Sequence, residues 1–169
     1  MTQPVHCCSR RIAALVLGKN ERTLKRWCDD GELEIGAEDA SGRAMVSLHA
    51  VLLRLGHAAD PDLPELILEA DRGDAAAQND LGMLLLQEGH SGSAFELFQE
   101  SAQQDYPEAM HWLYRCYMKG LGVDRDENLA MMWLHQAAAH GHAIAKAQAD
   151  ALRDLAVRQL QSGAGPHRD

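Results

Sequence analysis

The residues best equipped for chemistry are a cluster of cations on one short segment, Arg22, Lys25 and Arg26, with Thr23 among them and Arg43 further along the chain. Guanidinium and ammonium groups reach guanine edges or phosphate oxygens, so contact with double-stranded DNA is the chemistry they offer. Cysteine and histidine are the other reactive types. His6, Cys7 and Cys8 with Cys28 supply soft-ligand types, yet adjacent cysteines lack the C-x-x-C turn that closes on zinc, and an ordinary chain end is the plainer reading. Cys28 and Cys116 lie in stretches that read as helix interiors, so no disulfide framework is expected and reduced thiols in the cytoplasm fit. No Ser/His/Asp set, P-loop or H-E-x-x-H occurs, and His111, His135, His140 and His142 sit inside a packing pattern. The protein is therefore expected not to be an enzyme and to carry no cofactor or metal.

The cationic cluster needs a rigid mount, and the local pattern supplies one. Ile12, Leu15 and Val16 recur at helical spacing, Gly18 ends that helix, and Asn20 is a good cap for a second one from Glu21 to Asp30. On the second helix Leu24, Trp27 and Cys28 share a face, leaving Arg22, Lys25 and Arg26 to point elsewhere. A polar stretch from Glu34 to Ser41 leads to a short strand over Gly42–Ser47, after which Ser47 caps an apolar helix, Leu48–Leu55, ended by Gly56. Helix, turn, helix, hairpin, helix is a winged helix-turn-helix plan.

Charge divides the chain at the same place. The net charge is −9, but residues 1–59 hold eight basic and seven acidic groups, whereas the rest hold eight basic and eighteen acidic. Two modules with different partners are implied, joined near His57–Pro64. The apolar content of 46% supports a real core, only eight residues are aromatic, and no apolar run approaches the ~20 residues of a membrane span. No basic stretch followed by an apolar segment opens the chain, as a secretion signal would require, so a cytoplasmic protein is expected.

The second module repeats. Ala77, Leu81 and Leu85 align with Ala109, Leu113 and Tyr117 at an offset of 32, while Ala94, Phe98 and Ala102 align with Ala130, Leu134 and Ala138 at an offset of 36. The difference falls in one inter-helix loop, longer in the second copy. Helices are expected over 63–72, 75–88, 92–104, 107–119, 127–139 and about 142–161, with alanines at the close contacts and larger side chains between hairpins.

Two resemblances follow from these residues. Ala109, Leu113, Tyr117, Gly120, Gly122, Val123, Asp126, Ala130, Trp133, Ala137, Ala138 and Gly141 match the pattern of the Sel-one-like repeat family, relatives of the tetratricopeptide repeat. The departure is Tyr114, where glycine is usual and a bulky group would open the hairpin slightly. This resemblance implies a protein-binding surface; the acidic excess of the segment favours a basic partner segment, or simply solubility. The run Thr23, Leu24, Lys25, Arg26, Trp27 and the later Gly42–Leu52 resemble the MerR-type and excisionase-type winged helix-turn-helix family. That likeness implies DNA contact through Arg22, Thr23, Lys25, Arg26 and Arg43, with Arg43 one place before the family's wing arginine and with Asp29, Asp30, Glu32 and Glu34 just past the reading helix. A monomer neutralising so few phosphates would need to dimerise to hold two half-sites.

The expected fold is thus mainly α: a winged helix-turn-helix over 1–58, a linker at 59–64, a short α-solenoid of helical hairpins over 65–161, and a disordered tail at 162–169. The leading reading is a bacterial-type DNA-binding regulator whose repeats bind a protein partner or form a homodimer. The alternative is a protein–protein interaction adaptor with no DNA contact.

Overall fold

The first three helices begin where a side chain can take up the amide hydrogens that a first turn leaves unpaired. A computed structural model describes residues 6–36, 38–40, 42–56 and 61–163. Ser9 accepts from the Ile12 amide to start α1 (Arg10–Val16), Asn20 from the Thr23 amide to start α2 (Glu21–Asp29), and Ser47 from the Ala50 amide to start α3 (Leu48–Leu55). The apolar faces of these three helices meet in a small core containing Ile12, Leu24, Leu48 and Val51, each at most 2% exposed.

The β structure differs from expectation in two ways. The chain start is no plain end: β1 (Cys7–Ser9) pairs antiparallel with β2 (Met45–Ser47), Cys8 lying opposite Val46. On the other side of β2, Ile35 bridges Val46, with the Gly36 amide donating to the Met45 carbonyl and the Ser47 amide to that of Glu34. The strand expected from Gly42 starts only at Met45, because the Gly42 amide turns back to the Asp39 carbonyl.

The remaining helices are α4 (Leu63–Arg72), α5 (Ala75–Gln87), α6 (Ser91–Ala102), α7 (Pro107–Lys119), α8 (Glu127–Ala139) and α9 (Ala143–Gly163). Each packs on its neighbour in sequence, forming hairpins at intervals of about one repeat. The contacts are made where alanine was expected: Ala94, Ala109, Ala130 and Ala137 are fully buried, and Leu81, Phe98, Leu113 and Leu134 fill the spaces between. Gly122, at φ +73°, approaches the Ser91 carbonyl so closely that a Cβ would lie 2.1 Å from it, which seats the longer loop of the second copy on the start of α6. The protein is mainly helical, and among the described residues no helix is long and apolar enough to cross a membrane.

Two expectations on the connecting segments change. Helix α9 runs through Gly163, two residues into the stretch expected to be disordered; residues 164–169 lie outside the described residues. Of the linker, residues 59 and 60 lie outside them as well, and Asp62 already precedes the first turn of α4.

The N-terminal elements are docked on the array. Ser9 donates its amide to Asp71 Oδ2 of α4 at 2.7 Å and its hydroxyl to Oδ1, while Arg11 of α1 bridges Glu100 of α6 at 2.6 Å. Gly18 carries the His90 ring against its Cα, at a point where a Cβ would meet the ring at 2.2 Å. One apolar core runs from Ile12 and Leu15 through Ile67 and Leu81 to Leu113.

Candidate interaction surfaces

Two surfaces and one polar joint gather the charged and hydrogen-bonding groups among the described residues. The first is the outer face of α2. With Leu24 and Cys28 buried, helical geometry turns Arg22, Lys25 and Arg26 outward, and all three are exposed. None makes an ion pair among the described residues. With Asn20, Thr23 and Asp29 they border an open, predominantly polar depression. Thr23 is half-buried, and its hydroxyl donates to the Asn20 side chain at 2.9 Å, so it serves the cap before any ligand.

The other expected site residue behaves differently. Arg43 donates through Nε to Asp39 Oδ2 at 2.6 Å, and the Asp39 carboxylate also accepts from the Arg43 amide. That hydrogen bond, ahead of the charge itself, raises the guanidinium's proton affinity, and the pair neutralises the cation that the resemblance assigned to phosphate contact. Arg54 is engaged as well, stacked 4.4 Å above the Trp27 ring and donating to the Glu32 carbonyl at 2.8 Å; this fastens the end of α2 to α3. The structure therefore gathers Arg22, Lys25 and Arg26 on one face and leaves Arg43 with a partner of its own.

Sequence reasoning missed the polar joint between α7 and α9. Glu108, His111 and His142 present their ligand-type atoms within 4.8 Å of one another. Glu108 and His111 stand three apart on α7, one helical turn, and that spacing was the legible signal. The hydrogens of the joint are already allotted. His142 Nδ1 accepts from the Ala145 amide at 3.0 Å, capping α9, so its Nε2 carries the hydrogen and donates to Glu108 Oε2 at 3.0 Å. His111 Nε2 lies 3.0 Å from Gln148 Oε1, and the two imidazole rings face each other tilted by 34°, with centroids 4.4 Å apart. Burial pushes the His111 imidazole below the usual histidine range, against the opposing pull of the Gln148 hydrogen bond. A metal on His142 Nε2 would force a hydrogen onto Nδ1, facing the Ala145 N–H, so this arrangement is a structural joint.

The cysteines do not form a site. Adjacent strand residues point to opposite faces, so Cys7 and Cys8 diverge, and Cys8 and Cys28 are buried. Burial pushes the Cys8 thiol up to about 12 and that of Cys116 up to about 11, which keeps both protonated and unreactive at neutral pH.

The second surface is the repeat array itself, whose body from residue 63 to 142 holds thirteen acidic and four basic groups. Its aromatic side chains knit neighbouring helices together: Phe98 stacks on Trp112 at 5.4 Å, and Phe95 meets Tyr117 edge-on at 5.5 Å. Tyr114 packs beside a neighbouring ring on its own helix. Its ring lies 5.7 Å from that of His111, and Leu134 stands where the first copy has the larger Phe98.

Comparison with known proteins bears on this second surface. No curated protein matches the chain. A crystal structure of a Sel1 repeat protein from Oxalobacter formigenes is 30% identical, over 59% of this chain and 79% of that one, with a TM-score of 0.49. The Sel1 repeat family matches residues 75–115 and 107–142. The match begins at the start of α5 and ends at the cap of α9, leaving the N-terminal elements, α4 and the body of α9 outside it. The array from α5 through α8 belongs to the Sel1 repeat family.

Proposed function

We propose that the protein is a non-enzymatic interaction module whose Sel1-repeat array receives a basic segment of a partner protein. The observation that carries this reading is the family match over residues 75–142, since Sel1 repeats mediate protein–protein interaction. The partner's charge follows from the thirteen-to-four acidic excess of the array, which attracts cations and repels another acidic surface. Titrating the full chain into labelled Lys/Arg-rich and Asp/Glu-rich peptides, followed by fluorescence anisotropy, tests it. Binding of the basic peptide alone, weakening as salt rises, is expected; equal response to both peptides overturns the charge assignment.

A second reading rests on a separate observation, the three exposed and unpaired cations of α2. In it, α1, α2, α3 and the β ribbon act as a winged helix-turn-helix over residues 1–58, presenting Arg22, Lys25 and Arg26 to a DNA backbone or groove. The paired state of Arg43 and the carboxylates of Asp29, Asp30, Glu32 and Glu34 weigh against strong wing contact. The interaction reading is therefore preferred. A random duplex in the same titration separates the two. The second reading requires an affinity that falls steeply with salt and is lost in R22A/K25A/R26A, and an unchanged response in that variant removes it.

A further inference from the structure

We infer that the polar joint between α7 and α9 is an acid-sensitive latch: protonation of its imidazoles releases the start of α9 from the repeat array. Little else holds this helix. Of its 21 residues, every one from 151 to 162 is exposed, so the opening turns carry its attachment. The apolar part of that attachment is Ala145, fully buried, and Ala149, 8% exposed. Their single methyl groups withdraw little apolar surface from water compared with Leu113 or Leu134. The polar part is the joint itself. His142 at the cap and Gln148 further along α9 reach Glu108 and His111 of α7, each pair at 3.0 Å.

The joint is built for neutral rings. His142 Nδ1 accepts from the Ala145 amide and its Nε2 donates to Glu108, so a proton added to this ring lands on Nδ1 and sets one N–H against another. The cap of α9 is then lost. A proton added to His111 instead charges a side chain that is 8% exposed, with the His142 ring 4.4 Å away. Water hydrates that charge when the side chains covering it from α9, His142 and Gln148, withdraw. Both routes loosen the same turns of α9. The surrounding groups agree with this direction. Burial lowers the affinity of His111 for a proton, the Gln148 hydrogen bond and Glu108 oppose that effect, and His142 and Arg115 add to it. Glu108 is a weak counter-ion here, because its carboxylate is 47% exposed and already accepts from His142. Tyr114 lies beside His111 on the same helix. At the rim, His140 stands 3.8 Å from Asp105, and His135 of α8 is exposed along a groove with Lys146, Asp150 and Arg153 of α9. A group that binds its proton more weakly in the closed joint than in the open one drives opening as pH falls.

Hydrogen–deuterium exchange of the full chain at pH 7.5 and pH 5.5, read by mass spectrometry and corrected for the pH dependence of intrinsic exchange, tests this. Peptides covering 143–150 should lose protection several-fold on acidification, while those of α5 and α6 keep theirs. In H111N/H142N the protection of 143–150 should be the same at both pH values, since asparagine caps a helix without titrating. The milder single variants H111N and H142N should each show a smaller loss than the wild-type chain. Unchanged protection of 143–150 in the wild-type chain overturns the inference. So does a loss shared equally by α5 and α6, which is general unfolding, or a loss as large as the wild-type one in both single variants or in the double variant, which places the proton outside the joint.

Discussion

His142 does two jobs with two nitrogens. Nδ1 takes the Ala145 amide and closes the first turn of α9, while Nε2 donates to Glu108 and holds α9 against the start of α7. Its neighbour His111, tilted against it and buried, is the group through which this joint should respond to pH. The His111 imidazole titrates below its ordinary value of about 6.5, so the folded protein binds its proton less readily than the unfolded chain does. Stability contributed by the neutral ring is complete above the unfolded value and declines as pH falls from there through the lowered folded value. Urea denaturation between pH 7.5 and pH 5 should show this loss, and H111N, which cannot titrate, should flatten the slope. An identical slope in H111N would place the titration elsewhere.

At the scale of elements, the two repeat copies solve one packing problem in opposite ways. In the first, Gly82 leaves room for Phe98, whose Cε1 would lie 2.8 Å from a Cβ at that position. In the second, Tyr114 occupies the glycine's place and Leu134 the phenylalanine's, so bulk is moved from one helix to the other. Gly82→Ala should therefore destabilise the protein by about 1–3 kcal/mol, the cost of overpacking a filled core. In the F98L background the same substitution should cost much less, because that background reproduces the pairing of the second copy. Additive effects in a denaturant double-mutant cycle would show that the two sites do not compete for space. The loop difference between the copies has a similar logic, since the extra residues of the second bring Gly122 onto the start of α6 and tie successive hairpins together.

For the whole molecule, the question is how the N-terminal elements relate to the array. The charge split implied two modules meeting at a joint, and the contacts across that joint are specific: Ser9 with Asp71, Arg11 with Glu100, Gly18 under His90. Ser9 is 4% exposed, so its amide has no water to replace a lost carboxylate. The apolar core is also continuous between the two parts. Thermal unfolding should accordingly be a single cooperative transition by calorimetry, and D71A should lower its midpoint as a whole. Two resolved transitions, with D71A moving only one, would show that the parts unfold independently.

Much of this was legible in the residues. Caps at Asn20 and Ser47, helix-ending Gly56 and the offsets of 32 and 36 are local or periodic signals, and chain geometry turns them into helices and hairpins without reference to distant partners. The cations of α2 were legible for the same reason, because a helix with one apolar face must expose the other. What no local pattern could convey was which distant groups meet. That β1 would pair with β2, that Ser9 would meet Asp71, and that Glu108 and His111 would receive His142 are outcomes of packing. Pairing across 30 residues or more depends on where whole elements settle, so sequence alone determined the elements and their faces, and tertiary structure decided which of those faces remain open to a partner.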